Sequence, residues 1–449
     1  MKDSFKKIVS LIVAVAIVFT FATVSASALS IDDLLNKNNS SSDPTGFGVK
    51  DMSYGTARVA IPLMNKVFDA VNLLAGTKES WSSSDGMVYE DLNYTDKDGN
   101  TRDALKYDLY IPEGLDVNEA QGLILFIHGG TWTMGSKDHC DWSAACFAKQ
   151  GFITATMDYD LASQGNDNVA RVTGSKSNAD IFDMLDDVTS CTNAIIEKCS
   201  ELGYTLDRMA MSGFSSGSHL LSLYAYSRAD ECPLPIKMIF PITTPVGFYK
   251  GTFDNYTNAE VASFATIVSG ETITAEDIEN PVATGKDTLL KAISPVANIN
   301  ENSCPTLMGF AGKDKTIGNN QYNTIKAVLD EYGIDNEVFW WKNSDHTLLA
   351  DPGTYKKWTE KVNEWLEFYM ASDLTYVETE EKIDNTVSDS TVISKDSIPL
   401  SDNVSNEDAT SEKIVKTGER GVTVSVVTAL ATSLFSVGIC LKKSKKVSE

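Results

Sequence analysis

The chain has 449 residues, 42% of them hydrophobic and 22% charged, too apolar for wholesale disorder and long enough for one large domain or two ordinary ones. Against 38 Lys and Arg stand 62 Asp and Glu, a formal net charge of -24. A surface so acidic repels phosphate backbones, which excludes nucleic acid as a partner.

At the amino-terminal end, Lys2, Lys6 and Lys7 precede an uncharged run over 8–22, and Ala26, Ser27 and Ala28 follow as small residues suited to a signal peptidase. Residues 1–28 therefore read as a secretory signal peptide. Residues 29–84 form a leader with Ser- and Gly-rich stretches around one amphipathic helix, expected over 62–75 and packed on the domain that follows.

From residue 85 to 370, short apolar runs alternate with longer helical patterns. Strands are expected over 87–95 and 104–111 as an opening antiparallel pair, then over 122–127, 152–157, 207–212, 236–242, 305–310 and 337–341. Helices are expected over 138–150, 178–202, 216–228, 319–332 and 354–370. Strands separated by helices of this length build an α/β domain with a mostly parallel central sheet and helices on both faces. Residues 245–290 interrupt the alternation with Phe248, Tyr249, Phe253, Tyr256 and Phe264. This insertion is read either as a lid or as an ordinary surface excursion.

Beyond the domain, residues 371–420 hold 12 acidic and 5 basic side chains and few apolar ones, a composition that cannot offset its chain entropy by burial, and so a stalk. Residues 421–441 are uncharged, long enough at about 1.5 Å per residue to cross a membrane, and precede a basic tail at 442–449. The motif Ile-Val-Lys-Thr-Gly at 414–418 resembles a sortase sorting signal, with Val415 where a proline is usual. The segment thus reads as a transmembrane or sorting-signal anchor to membrane or cell wall, with the domain exported. Oligomeric state is not legible.

Of the seven cysteines, Cys191 and Cys199 share one expected helix at a separation of about 12 Å, too far to bridge. No pair is a CxxC and no metal-ligand spacing occurs. Free buried thiols are the preferred reading.

The residues that carry chemistry stand at the expected carboxyl ends of strands, where function gathers in such sheets. Gly213-Phe214-Ser215-Ser216-Gly217 follows the strand over 207–212 and opens a helix. A sharp strand-to-helix turn leaves no room beside it for side chains, which accounts for the glycines and lifts Ser215 Oγ out of the sheet. A serine hydroxyl needs a base, and the chain offers only four histidines. His219 lies one turn along the same helix and is directed into packing; His128 and His139 precede the serine. His346, in the loop before the last helix, remains as the base. Asp314, just after the strand over 305–310, is the carboxylate placed to orient it, since Asp345 cannot fold back on its neighbour's ring. His128-Gly129-Gly130-Thr131-Trp132 follows the strand over 122–127, so the backbone N–H groups of Gly129, Gly130 and Thr131, with that of Ser216, are candidate oxyanion donors.

The order HGGxWxxG from His128 to Gly135, the Asp158-Tyr159 turn, GxSxG, then Asp and His resembles the α/β-hydrolase superfamily, closest to its hormone-sensitive-lipase-like carboxylesterase branch. The resemblance spans about residues 85–370 and implies a serine carboxylic-ester hydrolase that works through an acyl-enzyme without cofactor or metal. Thr131 stands where that branch often has a third glycine, and Ala311 where the acid loop often has one. The substrate expected is a small-molecule or polysaccharide-linked ester with a small acyl group. A peptidase or amidase of the same fold, or a non-catalytic surface adhesion module, are the alternative readings.

Overall fold

A run in which every side chain is apolar is stable only when both of its faces are covered. The computed structural model, which describes residues 49–74, 81–351 and 353–371, covers them with helices. The chain divides into two units, 1–376 and 377–449, and every described residue lies in the first.

The strands are β1 (Gly86–Thr95), β2 (Thr101–Pro112), β3 (Gln121–Ile127), β4 (Ile153–Met157), β5 (Leu206–Phe214), β6 (Ile236–Ile242), β7 (Thr306–Ala311) and β8 (Asn336–Trp341). They form one sheet in the order β1-β2-β4-β3-β5-β6-β7-β8. β2 is antiparallel to both β1 and β4, and all other neighbours are parallel. The longer helices are α1 (Tyr54–Leu74), α2 (Asp141–Ala148), α3 (Asp167–Thr173), α4 (Ile181–Glu201), α5 (Ser216–Ser227), α6 (Asn258–Ser269), α7 (Asn319–Glu331) and α8 (Thr354–Tyr369). This is the mostly parallel, doubly covered sheet expected.

Side chains alternate across each strand and so build two cores. Leu123, Leu125 and Ile127 of β3 join Met209 and Met211 of β5 and Met308 and Phe310 of β7 under α4, α5, α6 and α7. Ile124 and Phe126 of β3 join Phe240 of β6 and Trp341 of β8 under α2 and α8. α4 faces its core with Ile181, Met184, Leu185, Val188, Cys191, Ile195 and Cys199, a stripe at spacings of three and four. Of the six cysteines of the described residues, Cys140, Cys191, Cys199 and Cys304 are buried free thiols.

The leader helix begins eight residues before the expected start. Pro62, the expected first residue, lies inside α1. Ser53 Oγ accepts from the Thr56 N–H at the true start, and Ala57 and Ile61 bury against Val169 of α3. The expected helix over 138–150 divides into a 3-10 turn at Lys137–Cys140 followed by α2.

Residues 245–290 are tied into the domain at their start. Gln321 of α7 accepts from the N–H groups of Val246 and Gly247 and donates to the Gly247 carbonyl, while Ser294 Oγ accepts from the Phe248 N–H. Phe248, Phe253 and Phe264 are buried.

Among the described residues, no helix is long and apolar enough to cross a membrane. The two longest, α1 and α4, carry charges along their length, Arg58 and Lys66 in one and Asp183, Asp186, Asp187 and Glu197 in the other. The expectation of a transmembrane segment is corrected accordingly; the stretch on which it rested, 421–441, lies outside the described residues, as do the expected signal peptide and stalk.

One buried ion pair braces β2 against the segment after β3. The Lys137 ammonium lies 2.8 Å from Asp108 Oδ2, 2.9 Å from Asp138 Oδ1 and 3.1 Å from Asp91 Oδ1. The backbone N–H of Lys137 donates to Asp158 Oδ1 at 2.7 Å. Lys137→Met leaves Asp108 buried without its cation and is expected to cost about 3 to 5 kcal/mol. Urea denaturation measures this; a midpoint equal to that of the unsubstituted chain would contradict the assignment.

Candidate active site

The parallel strands end nearly level at the centre of the sheet. Ile127 pairs with Gly213, Gly213 with Pro241, Ile242 with Gly309, and Ala311 with Trp341. The loops that leave β3, β5, β7 and β8 therefore open onto one region.

Ser215 sits between β5 and α5 with φ 55° and ψ -119°, a conformation costly for any side-chain-bearing residue. Its N–H donates to the Ile242 carbonyl at 3.0 Å, and Ser218 Oγ accepts from the Ile242 N–H at 2.8 Å. Those bonds fasten the strained turn to β6. A Cβ on Gly213 or Gly217 would run into the carbonyl oxygen of Ile127, so both positions require glycine because the end of β3 lies against the turn. A Cβ on Gly129 would stand 2.7 Å from the Phe214 carbonyl oxygen. The glycine-rich loop and the serine turn thus touch backbone to backbone.

The three side chains singled out for chemistry form a hydrogen-bonded row. His346 Nε2 lies 3.1 Å from Ser215 Oγ, and His346 Nδ1 lies 2.7 Å from Asp314 Oδ2. Asp314 Oδ1 accepts from the N–H groups of Thr316 and Ile317 at 2.8 and 3.0 Å, which aims the other oxygen at the imidazole. Burial alone would raise the Asp314 pKa, but the charge of His346 and these hydrogen bonds outweigh it and hold the carboxyl below its ordinary value. The Lys313 N–H donates to the Ser344 carbonyl at 2.9 Å, so the acid loop and the histidine loop move together. A Cβ on Gly312 would stand 2.5 Å from the Lys342 carbonyl oxygen; the neighbouring Ala311 stays in β7. Asp345 accepts from Thr347 in its own turn.

Gly130, Thr131 and Trp132 have φ of 131°, 53° and 62° in succession. The two non-glycine residues cost about 1 to 2 kcal/mol each in this region, so the loop is held by its surroundings. Thr131 Oγ1 donates to the Gly130 carbonyl at 2.7 Å, and the Trp132 carbonyl accepts from the Ala162 N–H at 2.8 Å. His128 stacks on Tyr159 with ring centroids 4.5 Å apart, and Tyr159 Oη donates to the His128 carbonyl at 3.1 Å. Burial lowers the His128 pKa to about 3, so the ring is neutral and donates from Nδ1 to the Gly129 carbonyl at 2.8 Å. His128 braces the loop. Ser216 opens α5 beside Ser215, where helix N–H groups and the positive dipole end face the site. Of the four candidate donors, Ser216 adjoins the serine in the chain and Gly129 lies against it, a Cβ there standing 3.3 Å from that of Ser215, while Gly130 and Thr131 follow in the same loop.

His219 points away from the hydroxyl, as its place on α5 suggested. Its Nδ1 lies 3.1 Å from Trp132 Nε1 and its Nε2 2.8 Å from the Ile293 carbonyl oxygen. Sequence reasoning noticed both His219 and Trp132 but had no signal that they touch across 87 residues.

For a metal, Asp108, Asp138 and Asp141 bring ligand oxygens within 4.8 Å of one another. The Lys137 ammonium already bonds two of those carboxylates, so the group is an ion-pair cluster.

Among solved structures, the chain resembles an inhibited esterase B from Lactobacillus rhamnosis, with a TM-score of 0.51 and 14% identity over 69% of this chain and 95% of that one. With the strand order and the level strand ends, that likeness decides the fold. The chain has the α/β-hydrolase fold of esterases. A family model described as BD-FAE matches residues 107–329 of this chain, just short of half its length. An isoprenylcysteine α-carbonyl methylesterase from Arabidopsis thaliana is 24% identical over 55% of this chain and 55% of its own length. An ethyl acetate hydrolase from Pseudomonas putida is 29% identical over 34% of this chain and 44% of its own. The chain spans about half the length of these curated relatives or less. The hormone-sensitive-lipase-like branch is not singled out by them.

A carboxyl whose folded-state pKa is depressed adds stability above its unfolded value, near 3.8 for Asp314, and loses it as pH falls through the folded value. The urea midpoint of the unsubstituted chain is therefore expected to fall more steeply below about pH 4 than that of Asp314→Asn. Parallel profiles in that acid range would contradict the depressed pKa.

Proposed function

We propose that this protein is a serine carboxylesterase acting on small esters through an acyl-enzyme. The observation that carries the reading is the continuous row from Asp314 through His346 to Ser215, with links of 2.7 and 3.1 Å. Ser215 Oγ attacks the acyl carbonyl carbon while His346 Nε2 takes its proton, and Asp314 keeps the imidazole in the tautomer that can do so. The carbonyl oxygen gains charge and is received by N–H groups of Gly129, Gly130, Thr131 and Ser216. His346 then returns the proton to the departing alkoxide. A water, deprotonated by the same imidazole, attacks the acyl-enzyme and frees the carboxylic acid and Ser215.

The names of two relatives, a methylesterase and an ethyl acetate hydrolase, support a small ester as substrate. The Phe214 ring packs against the imidazole of His346, with centroids 4.9 Å apart. Export, read from residues 1–28, is part of the same proposal, as is attachment to the cell wall through the motif at 414–418.

Ser215→Ala is expected to abolish turnover of p-nitrophenyl acetate while circular dichroism and the urea midpoint stay unchanged. In the unsubstituted chain, kcat/KM should fall along p-nitrophenyl acetate, butyrate, octanoate and decanoate. Retained turnover in the alanine variant would reject the nucleophile, and a series rising toward decanoate would reject the small acyl group.

A further inference from the structure

The oxyanion loop holds two consecutive non-glycine residues in the left-handed region, Thr131 and Trp132, and such a conformation persists only where its surroundings over-determine it. Trp132 is 3% exposed and His219 is fully buried. The indole N–H of Trp132 has His219 Nδ1 at 3.1 Å, and the rings meet edge to face with centroids 5.2 Å apart. A carbonyl oxygen can only accept, so His219 Nε2, 2.8 Å from the Ile293 carbonyl oxygen, carries the ring proton. Nδ1 is therefore bare and must be the acceptor for the indole. Both partners are matched, and neither has a second way to be satisfied without the ring turning over.

The position of His219 gives this bond a consequence for the site. Its N–H donates to the Ser215 carbonyl at 2.9 Å, so it stands one turn beyond the serine on the same helix. The helix that opens at Ser216 thus also grips the far end of the loop that presents Gly130 and Thr131. Nucleophile and oxyanion donors are referred to one rigid element, and Ile293 joins the segment after the insertion to it. Phe248, from the start of that insertion, closes the group with ring centroids 5.4 Å from His219 and 6.1 Å from Trp132.

We infer that His219 is a positioning residue: by accepting the Trp132 indole N–H it sets the distance between the oxyanion donors and Ser215, and so acts on the transition state rather than on substrate binding. The inference rests on the esterase reading above. A loop displaced by a fraction of an ångström still admits the ground-state ester but no longer meets the developing oxyanion.

The test uses the full chain and three substitutions. His219→Leu removes the acceptor, and Trp132→Phe removes the donor while keeping an aromatic ring, which covers the case in which the leucine variant fails to fold. His219→Asn places Oδ1 two bonds from Cβ, as Nδ1 is, and keeps the acceptor. With p-nitrophenyl acetate, the first two are expected to lower kcat about 10- to 100-fold with KM within about threefold, as a weakened oxyanion hole does. His219→Asn should bring kcat back to within about threefold of the unsubstituted chain. A trifluoromethyl ketone supplies the second readout: Ser215 Oγ bonds its carbonyl carbon, the proton passes to His346, and the former carbonyl oxygen becomes the oxyanion. Its inhibition constant should rise in parallel with the loss of kcat. Unchanged kcat in both His219→Leu and Trp132→Phe, a loss confined to KM, or failure of the asparagine to rescue would overturn the inference. Absence of turnover in the unsubstituted chain would instead overturn the esterase reading.

Discussion

Two backbones meet at the carboxyl ends of β3 and β5 with no space for a single methyl group between them. Gly213 and Gly217 lie against the Ile127 carbonyl, and Gly129 lies against that of Phe214. This contact depends on parallel strands that end level, because only then do successive loops leave the sheet side by side. It forces the serine turn into its left-handed conformation, since a relaxed turn would separate from β3. The hydrogen bonds of Ser215 and Ser218 to Ile242 hold the turn there.

From that contact the site can be assembled outward. The serine turn fixes one end of the row, and the loops after β7 and β8 bring the other two members to it. Asp314 is the most deeply fixed of the three, buried and held by two N–H groups. His346 stands between a buried anion and a hydroxyl, the arrangement in which a neutral imidazole can take a proton and have the resulting charge stabilised. Beside it, the glycine-rich loop is braced from two sides by histidines that burial keeps neutral, His128 with a pKa pushed down to about 3 and His219 to about 4. Three histidines near one another therefore have different tasks, and environment rather than residue type separates them.

Much of this was legible before the structure because the relevant signals are local. Strands β3 to β8 are apolar runs bounded by polar turns, and their limits fall within a residue or two of the expected ones. The serine turn has its own spelling, and the acid and the histidine follow from being next in order at strand ends. What escaped was of two kinds. Elements whose local signal misleads were misread: Pro62 looks like a first helical residue but lies inside α1, and α3, seven residues of mixed polarity, shows no periodicity to find. Partnerships between distant residues were also invisible. Nothing near Lys137 announces that Asp108 is buried beneath it, and nothing near Trp132 announces His219. Charge and hydrogen-bond complementarity across tens of residues is written in the fold rather than in spacing. The transmembrane reading drew on an apolar run and the basic tail after it, both outside the described residues, among which no helix is long and apolar enough to cross a membrane.

The central claim, that Ser215 is activated by His346, is tested most directly by a fluorophosphonate, whose phosphorus bonds an activated serine oxygen with loss of fluoride. Peptide mapping of the labelled full chain should place the adduct on Ser215 and nowhere else, with labelling suppressed at least about 100-fold in His346→Ala. An unlabelled native chain, an adduct on another serine, or labelling at full rate without the imidazole would contradict the account.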